Sequence, residues 1–269
     1  MKTVVDCFTF YNELEILELR FMELYDVVDK FIIVEANKTF KGDFKPFILE
    51  ENKWRFEKWW DKVAHIKVYI PDNLTDAWSR EKYQRNSSLP FLHSMCLNDN
   101  SVVIITDLDE IPNPEIISHI KKEYNLNGIF KLEMDNYFGS LSNKQKDKWY
   151  HSKVINWGNL KSRSIEGCRL TFDCQWWEKG GWHFTYFGGP SRISAKLNDF
   201  SHQEYNTDYY KDENYIFDKI KNGKDLFGEW REFVHIDPEK NEFLPKNWRI
   251  LLPLEEKYKI KDGSKETDI

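Results

Sequence analysis

The amino-acid sequence predicts an α/β protein in which helices flank a mixed central sheet. Strand-like and helix-like segments alternate over roughly the first 140 residues. The strand-like segments in this half are short and largely apolar, which is typical of parallel strands buried on both faces. The second half contains longer strand-like segments followed by two helical ones. Together these observations favour one mixed α/β sheet.

The first half is predicted to consist of strand–helix units. A strand at residues 3–10 is rich in β-branched and aromatic side chains, and Asn12 is placed to cap the helix that follows. Apolar residues recur in that helix at helical spacing: Leu14, Leu17, Phe21 and Leu24. Further strands are expected at residues 30–35, 65–70 and 101–106. Helices are expected at residues 50–60, within 75–97 and at 114–124, the last with a proline at its start.

The second half is predicted to complete the same domain. Long strands are expected at residues 128–138 and 149–157, and further strands at 169–172 and 182–187. Two helices are expected at residues 192–200 and 208–221. No segment of the sequence has the composition of a linker, so residues 1–255 are predicted to form a single domain. Residues 256–269 are charged and aperiodic, which predicts a flexible tail.

Composition excludes several classes of protein. The net charge of −6 argues against a nucleic-acid binder, which needs a basic face. Mean hydropathy is −0.68, and no apolar run approaches the ~20 residues that span a bilayer. The N-terminus shows no signal-peptide pattern, so we expect a cytoplasmic protein. Its four cysteines lack the C-x-x-C spacing of a zinc ribbon or redox motif, and reduced thiols are expected.

Aromatic residues are abundant, with 11 Trp, 13 Tyr and 19 Phe. Most are expected to pack in the core, although aromatic planes also suit the C–H faces of sugar rings. The segment LPKNWRILLP at residues 244–253 has two interpretations. It could make a weak peripheral contact with a membrane surface, but docking onto the core is favoured.

The strongest local motif is VVIITDLDEIP at residues 102–112. Asp107 and Asp109 follow the end of an apolar strand, where ligands bind in open α/β sheets. Carboxylates at this spacing can converge on one divalent cation, with diphosphate oxygens completing the coordination shell. A polar turn capping the next helix is the structural alternative. Two enzyme classes use this placement: nucleotide-sugar transferases of the GT-A type and haloacid-dehalogenase-like phosphatases. The phosphatase is less favoured for two reasons. Ile111 stands where these phosphatases usually have Thr or Val, and their motif lies near the start of the chain, whereas here more than 100 residues precede it.

Six segments together resemble glycosyltransferase family 17. In order they are DCFTFYNELEILELR, FIIVEANKTFKG, REKYQRN, TDLDEIPNPE, GGWHFTYFGG and KLNDFSHQEYN, and the resemblance covers about residues 3–228. The resemblance implies a GT-A-like fold and an inverting transfer of N-acetylglucosamine from UDP-GlcNAc to a glycan acceptor. It also implies a divalent metal, typically Mn²⁺, with Mg²⁺ as the other choice. The non-enzymatic alternative is a carbohydrate-binding module that uses its aromatic residues alone.

The resemblance also implies roles for the metal-site residues. In a GT-A site the first aspartate of D-x-D faces the ribose or a metal-bound water, and the second binds the metal. These roles fall on Asp107 and Asp109. A late histidine often adds a further ligand, and His183, between pairs of glycines, is the candidate, with His202 as its rival.

Donor-binding residues are expected on three segments. Asn12, Glu13 and Glu35 follow or end the first two strands, at the edge where nucleotides bind. For Asn12, helix capping is an equal alternative, whereas Glu35 is expected to meet a ribose hydroxyl or a uracil N–H. The resemblance places a third set, on the SREKYQRN helix, near the donor: Arg80, Gln84 and Arg85. Trp182 either stacks on a sugar or packs in the core.

An inverting transfer needs one general base to deprotonate the acceptor hydroxyl. Glu204, Asp135 and Glu133 are the candidates. Glu204 is favoured because it follows the glycine-flanked strand, on the side where acceptor-side bases often lie. Asp135 comes second.

Overall fold

Ten strands form one mixed sheet in the computed structural model, which describes residues 1–228 and 230–255. The strands are β1 Val4–Phe10, β2 Lys30–Ala36, β3 Val63–Val68, β4 Val102–Asp107, β5 Glu110–Pro112, β6 Ile129–Phe138, β7 Asn143–Gln145, β8 Lys153–Asn156, β9 Trp176–Thr185 and β10 Phe233–His235. The predicted α/β class, with a mixed sheet between helices, is confirmed. The predicted tail at residues 256–269 lies outside the described residues.

Helices connect and cover these strands. The α-helices are α1 Leu14–Leu24, α2 Ile48–Glu51, α3 Ala77–Asn86, α4 Leu89–Ser94, α5 Pro114–Lys122, α6 Trp157–Leu160, α7 Ile165–Arg169, α8 Pro190–Asp199, α9 Asp208–Lys211, α10 Glu213–Lys221 and α11 Leu252–Glu255. Short 3₁₀ helices lie at Lys53–Lys62, Gln203–Tyr205, Pro238–Lys240 and Trp248–Leu251.

The sheet has a parallel half and a mixed half. Strands β3, β2, β1 and β4 lie side by side and are all parallel. Strand β8 then pairs antiparallel with β4 and with β6. Strand β6 also pairs in parallel with β9, against which the short β5 runs antiparallel. This arrangement brings the end of β4, which carries the D-x-D motif, beside β9, which carries His183.

Burial on both faces explains the apolar character of the parallel strands. Alternate residues of β1 enter different cores: Val4 and Phe8 pack with α1 and Trp59, whereas Val5 and Cys7 pack with residues of α4, α6 and α7. A third, smaller cluster joins the end of β6 to α8 and α10. Three packed clusters thus support the ends of the strands that carry the D-x-D motif and His183.

Several predicted elements differ from the structure. Residues 169–172 are not a strand, because Ser164 caps the short helix α7, which ends at Arg169. Only four residues of the predicted strand at 149–157 pair as β8 before α6 begins. The predicted helix at 208–221 is divided into α9 and α10, and Asp212 caps the second. Asn12 does not cap α1, which begins after Glu13 without a side-chain cap.

The segment at residues 244–253 docks onto the main core, as favoured from its sequence. Trp248 and Leu251 are buried there. The Asn247 backbone N–H and side-chain amide both donate to Glu23 Oε1, at 2.7 and 2.8 Å. Within the described residues, no helix has the length and apolar character needed to cross a bilayer. All four cysteines are free.

Candidate active site

A cleft of about 500 Å³ opens at the carboxyl ends of the central strands. Its floor comes from the ends of four strands: Thr9 and Phe10 of β1, Asp107 of β4, Asn136 and Phe138 of β6, and His183 and Thr185 of β9. Residues 38–40, helix α3 and helix α8 form its sides. Aromatic residues at 200, 205, 227 and 230 line the cleft as well. Both aspartates of the D-x-D motif reach this cleft.

Arg20 anchors the loop that carries the two aspartates. Its guanidinium is fully buried and donates to the backbone carbonyls of Asp107, Leu108 and Glu110 at 2.8–3.0 Å. It also binds both carboxylate oxygens of Asp6, at 2.6 and 2.8 Å, and Thr106 Oγ1 at 2.5 Å. Three carbonyls of one turn therefore point at a single buried cation, which fixes the path of the D-x-D backbone.

Asp107 lies between two guanidinium groups. Arg85 Nη2 is 2.9 Å from its Oδ1, and Arg169 Nη2 is 2.5 Å from its Oδ2. Burial alone raises the pKa of Asp107, but Arg169 and Arg85 outweigh burial, and the pKa lies below its ordinary value. The carboxylate is therefore charged at neutral pH. About a third of the side chain remains exposed to the cleft.

Glu110 is a structural carboxylate. It is fully buried and accepts five hydrogen bonds, from Arg169 Nη1 and Nη2, Trp149 Nε1, Ser152 Oγ and the Asp107 backbone N–H. These donors, Arg169 above all, hold the pKa of Glu110 well below its ordinary value despite the opposing effect of burial. Its lone pairs are taken, so it locks the loop and does not face a ligand.

Asp109 lies between a lysine and a histidine. Lys196 Nζ, from α8, is 3.2 Å from Asp109 Oδ2 and 3.4 Å from Glu13 Oε1. His183 Nε2 is 3.6 Å from Asp109 Oδ1. Burial lowers the pKa of His183, so its imidazole is neutral at neutral pH. Oxygen and nitrogen ligands for a cation thus face each other across a short gap.

The position of His183 depends on a glycine two residues earlier. Strand β5 pairs with β9 so closely that a Cβ at Gly181, where φ is +151°, would lie 2.2 Å from the Ile111 carbonyl oxygen. The same pairing sets Glu110 opposite His183. Trp149 packs against the imidazole, with ring centres 4.4 Å apart and ring planes tilted by 30°. A residue with a side chain could not take this position, so Gly181 allows the close approach of β9 to β5.

The described residues contain no group of three or more histidine, cysteine, aspartate or glutamate side chains arranged to hold a metal ion. Asp107 is committed to two arginines and Asp109 to Lys196. Of the three predicted metal ligands, Asp107, Asp109 and His183, the last two are in contact among the described residues. The rival, His202, pairs with Glu204 instead, at 2.7 Å.

Other predicted site residues fall into two groups. Glu13, Gln84, Arg85 and Glu204 line the cleft. Gln84 donates to the Val34 carbonyl at 2.7 Å and so ties α3 to the end of β2. Arg80 does not line the cleft, but it donates to the carbonyls of Phe40 and Lys41 and holds a wall of it in place.

Four predicted residues point elsewhere. Glu35 is fully buried, and Lys45, His65 and the backbone N–H of Ile48 bind it, so it has partners within the protein. Trp182 packs on Phe243 and donates to its carbonyl, so the packing alternative is correct. Asp135 and Asn12 do not line the cleft either: the first pairs with Lys144 and Lys148, and the second borders a small neighbouring pocket. Glu133, the third candidate base, accepts from Tyr150.

Sequence reasoning missed three cations of the site: Arg20, Arg169 and Lys196. A signal for Arg20 was present, because it falls on the apolar stripe of α1 with Leu17, Phe21 and Leu24. A charged residue on a buried helix face needs a partner. Arg169 and Lys196 gave no comparable signal.

Comparison with known proteins agrees with this geometry. The model of glycosyltransferase family 17 matches residues 1–236. The chain belongs to glycosyltransferase family 17. Relatives from Rattus norvegicus, Homo sapiens and Mus musculus, each named beta-1,4-mannosyl-glycoprotein 4-beta-N-acetylglucosaminyltransferase, are 24% identical to it over 91% of the chain. The chain spans about half (52%) of the length of these relatives. Family membership supports the transferase and leaves the phosphatase and the non-catalytic module without support.

Proposed function

We propose that this family 17 enzyme transfers N-acetylglucosamine from UDP-GlcNAc to a hydroxyl of a glycan acceptor, with inversion, to give a β linkage. The observation that carries the proposal is the placement of Asp107 and Asp109 in a cleft at the end of β4, within a chain that matches the family over residues 1–236. The names of the relatives favour a β-1,4 linkage to a β-mannosyl acceptor.

The nucleotide is proposed to bind where β1 and β4 end. Thr9, Phe10 and Tyr11 line the cleft, as does Arg85 of α3. Asp107 has two guanidinium partners but four lone-pair positions, so ribose hydroxyls can still donate to it. The carboxyl ends of parallel strands are also where nucleotides bind in other α/β sheets.

Charge in the cleft supports a requirement for a divalent cation. Six acidic and five basic side chains line it, so the cleft offers no positive excess to a diphosphate. Asp109 and the neutral imidazole of His183 provide one oxygen and one nitrogen ligand, a donor set that Mn²⁺ accepts. Two protein ligands leave room for diphosphate oxygens. A cation held there would stabilise the charge that develops on the departing UDP.

Glu204 is proposed as the general base. It lines the cleft with most of its side chain exposed, where an acceptor hydroxyl can reach it. A hydrogen bond to His202 lowers its pKa, so it is a carboxylate at neutral pH and able to take a proton. Asp135, by contrast, lies outside the cleft between two lysines.

Calorimetry tests the donor and metal assignments. UDP is titrated into the protein with Mn²⁺ and again with EDTA, and binding should weaken sharply without the metal. Asp109→Asn should abolish the metal effect while the far-ultraviolet circular dichroism stays unchanged. Equal UDP affinity in both conditions would argue against a metal-dependent donor site. The anomeric coupling in the NMR spectrum of the product distinguishes inversion from retention.

A further inference from the structure

Lys196 occupies an unusual position for a cation beside a metal-binding carboxylate. Its ammonium lies 3.2 Å from Asp109 Oδ2 and 3.4 Å from Glu13 Oε1, and it borders both the cleft and the small pocket behind it. The nitrogen is therefore held by two carboxylates of different elements, one on the D-x-D loop and one at the start of α1. A single lysine thus neutralises the carboxylate that the proposed function assigns to the metal.

We propose that Lys196 is an internal counter-ion that makes metal binding depend on the nucleotide; this inference rests on the proposed function. A divalent cation at Asp109 and His183 would lie close to the ammonium, and like charges at such distances repel. In the absence of UDP, the ammonium therefore opposes Mn²⁺. A diphosphate entering the cleft supplies negative oxygens to the ammonium and to the metal together, and the repulsion is relieved.

The geometry gives Lys196 somewhere to go when a metal binds. Glu13 already lies within 3.4 Å of Nζ, and the flexible side chain is only partly covered, with 27% of it exposed. The ammonium can therefore move towards Glu13 or the diphosphate while α8 stays in place. Neither Arg85 nor Arg169 can act in this way, because both are buried and bound to Asp107.

The consequence is positive coupling between two ligands. If UDP raises the affinity for Mn²⁺ by some factor, then Mn²⁺ raises the affinity for UDP by the same factor. Replacing Lys196 by glutamine removes the counter-ion and should strengthen the binding of Mn²⁺ alone. A cation beside a carboxylate shifts its affinity for a proton by about 10- to 1,000-fold, and affinity for a divalent cation responds to the same field. We therefore expect roughly 10- to 100-fold tighter Mn²⁺ binding in Lys196→Gln.

The test uses electron paramagnetic resonance of free Mn²⁺, which needs no catalysis. Mn²⁺ is titrated into the wild type, Lys196→Gln and Lys196→Arg, each with and without saturating UDP. The glutamine variant should bind Mn²⁺ more tightly than the wild type without UDP, and should show a smaller gain when UDP is added. Lys196→Arg keeps the charge and should therefore show the weak Mn²⁺ affinity and the coupling of the wild type. Lys38→Gln, which removes another cleft lysine that pairs with Asp72, controls for a general change of charge.

The outcomes separate this inference from the proposed function. If the wild type binds UDP with Mn²⁺ but Lys196→Gln leaves both the Mn²⁺ affinity and the coupling unchanged, the counter-ion role is wrong and the donor site stands. The same holds if Lys38→Gln strengthens Mn²⁺ binding as much as Lys196→Gln does. If the wild type does not bind UDP under any condition, the proposed function itself is wrong and Lys196 loses this role with it.

Discussion

Arg20 should control both the stability of the fold and the affinity of the donor site. The five N–H groups of its guanidinium make six hydrogen-bond contacts, and every acceptor belongs to Asp6 or to the segment from Thr106 to Glu110. A lysine at this position keeps the charge but has only three donors. Arg20→Lys therefore loses at least three of these six contacts to buried acceptors. At about 1 kcal/mol each, the variant should lose about 3 kcal/mol of unfolding free energy.

Donor binding should weaken in the same variant. Three of the six acceptors are carbonyls of the turn that presents Asp107 and Asp109, so a lysine that cannot hold them all gives the turn conformations that do not fit the nucleotide. Ordering the turn again on binding takes free energy from the complex. We expect UDP affinity in the presence of Mn²⁺ to fall by about tenfold, or about 1.4 kcal/mol.

Urea unfolding and calorimetry measure the two effects. Arg55→Lys is the matched control, because Arg55 pairs with Glu18 at the surface with 26% of its side chain exposed. Exposed pairs contribute about 1 kcal/mol or less. If Arg20→Lys costs no more stability than Arg55→Lys, or if it weakens the fold with UDP affinity unchanged, then Arg20 does not organise the donor loop as argued.

Three further predictions follow from contacts in and around the cleft. Glu204→Gln should lower the turnover number by roughly 10²–10⁴-fold with UDP affinity unchanged. Asp135→Asn should instead lower the stability of the protein and leave the turnover number nearly unchanged, and steady-state kinetics of both variants decides between the two carboxylates. Arg80→Met releases the wall at residues 40–41 and should raise KM for UDP-GlcNAc with little change in kcat, and an unchanged KM would contradict that role. Burial, and to a smaller extent the charge of Arg169, lowers the pKa of His151 from 6.5 to about 4. The unfolded chain therefore binds this proton at a higher pH than the native state does, and stability should fall as pH drops from 6.5 towards 4. In urea titrations across this pH range, His151→Gln should reduce the total loss of unfolding free energy by about 1–2 kcal/mol, a figure that allows for partial exposure of the ring.

The parallel half of the sheet could be predicted from sequence because its strands are buried on both faces. Predicted and observed strands agree within one residue at β1, β2 and β4. The mixed half was harder. Residues 169–172 combine aliphatic and β-branched side chains in the manner of a strand, yet Arg169 ends a capped helix, from which it reaches Asp107 and Glu110. The requirement of a buried charge pair prevailed there over local propensity.

The carboxylates of the site could be predicted, but most of their partners could not. Asp107 and Asp109 lie two residues apart at the end of a clear strand, so a local pattern identifies them. Arg169 lies 62 residues beyond Asp107 and Lys196 lies 87 residues beyond Asp109. Nothing in a local pattern specifies a partner at that separation, because the pairing depends on how α7 and α8 return to the end of β4. Arg20 is the exception, since its place on an apolar helix stripe already demanded a buried partner.

The three carboxylates of the D-x-D loop differ in how fully the protein satisfies them, and this difference separates their roles. Glu110 accepts five hydrogen bonds and has no capacity left for a ligand. Asp107 is fixed by two guanidinium groups but retains lone pairs towards the cleft, which suits a hydroxyl donor better than a cation that would compete with two arginines. Asp109 faces one partly exposed ammonium and one neutral imidazole. A metal can displace the ammonium far more readily than it can displace two buried guanidinium groups, so Asp109 is the carboxylate at which cation binding and donor binding can be linked.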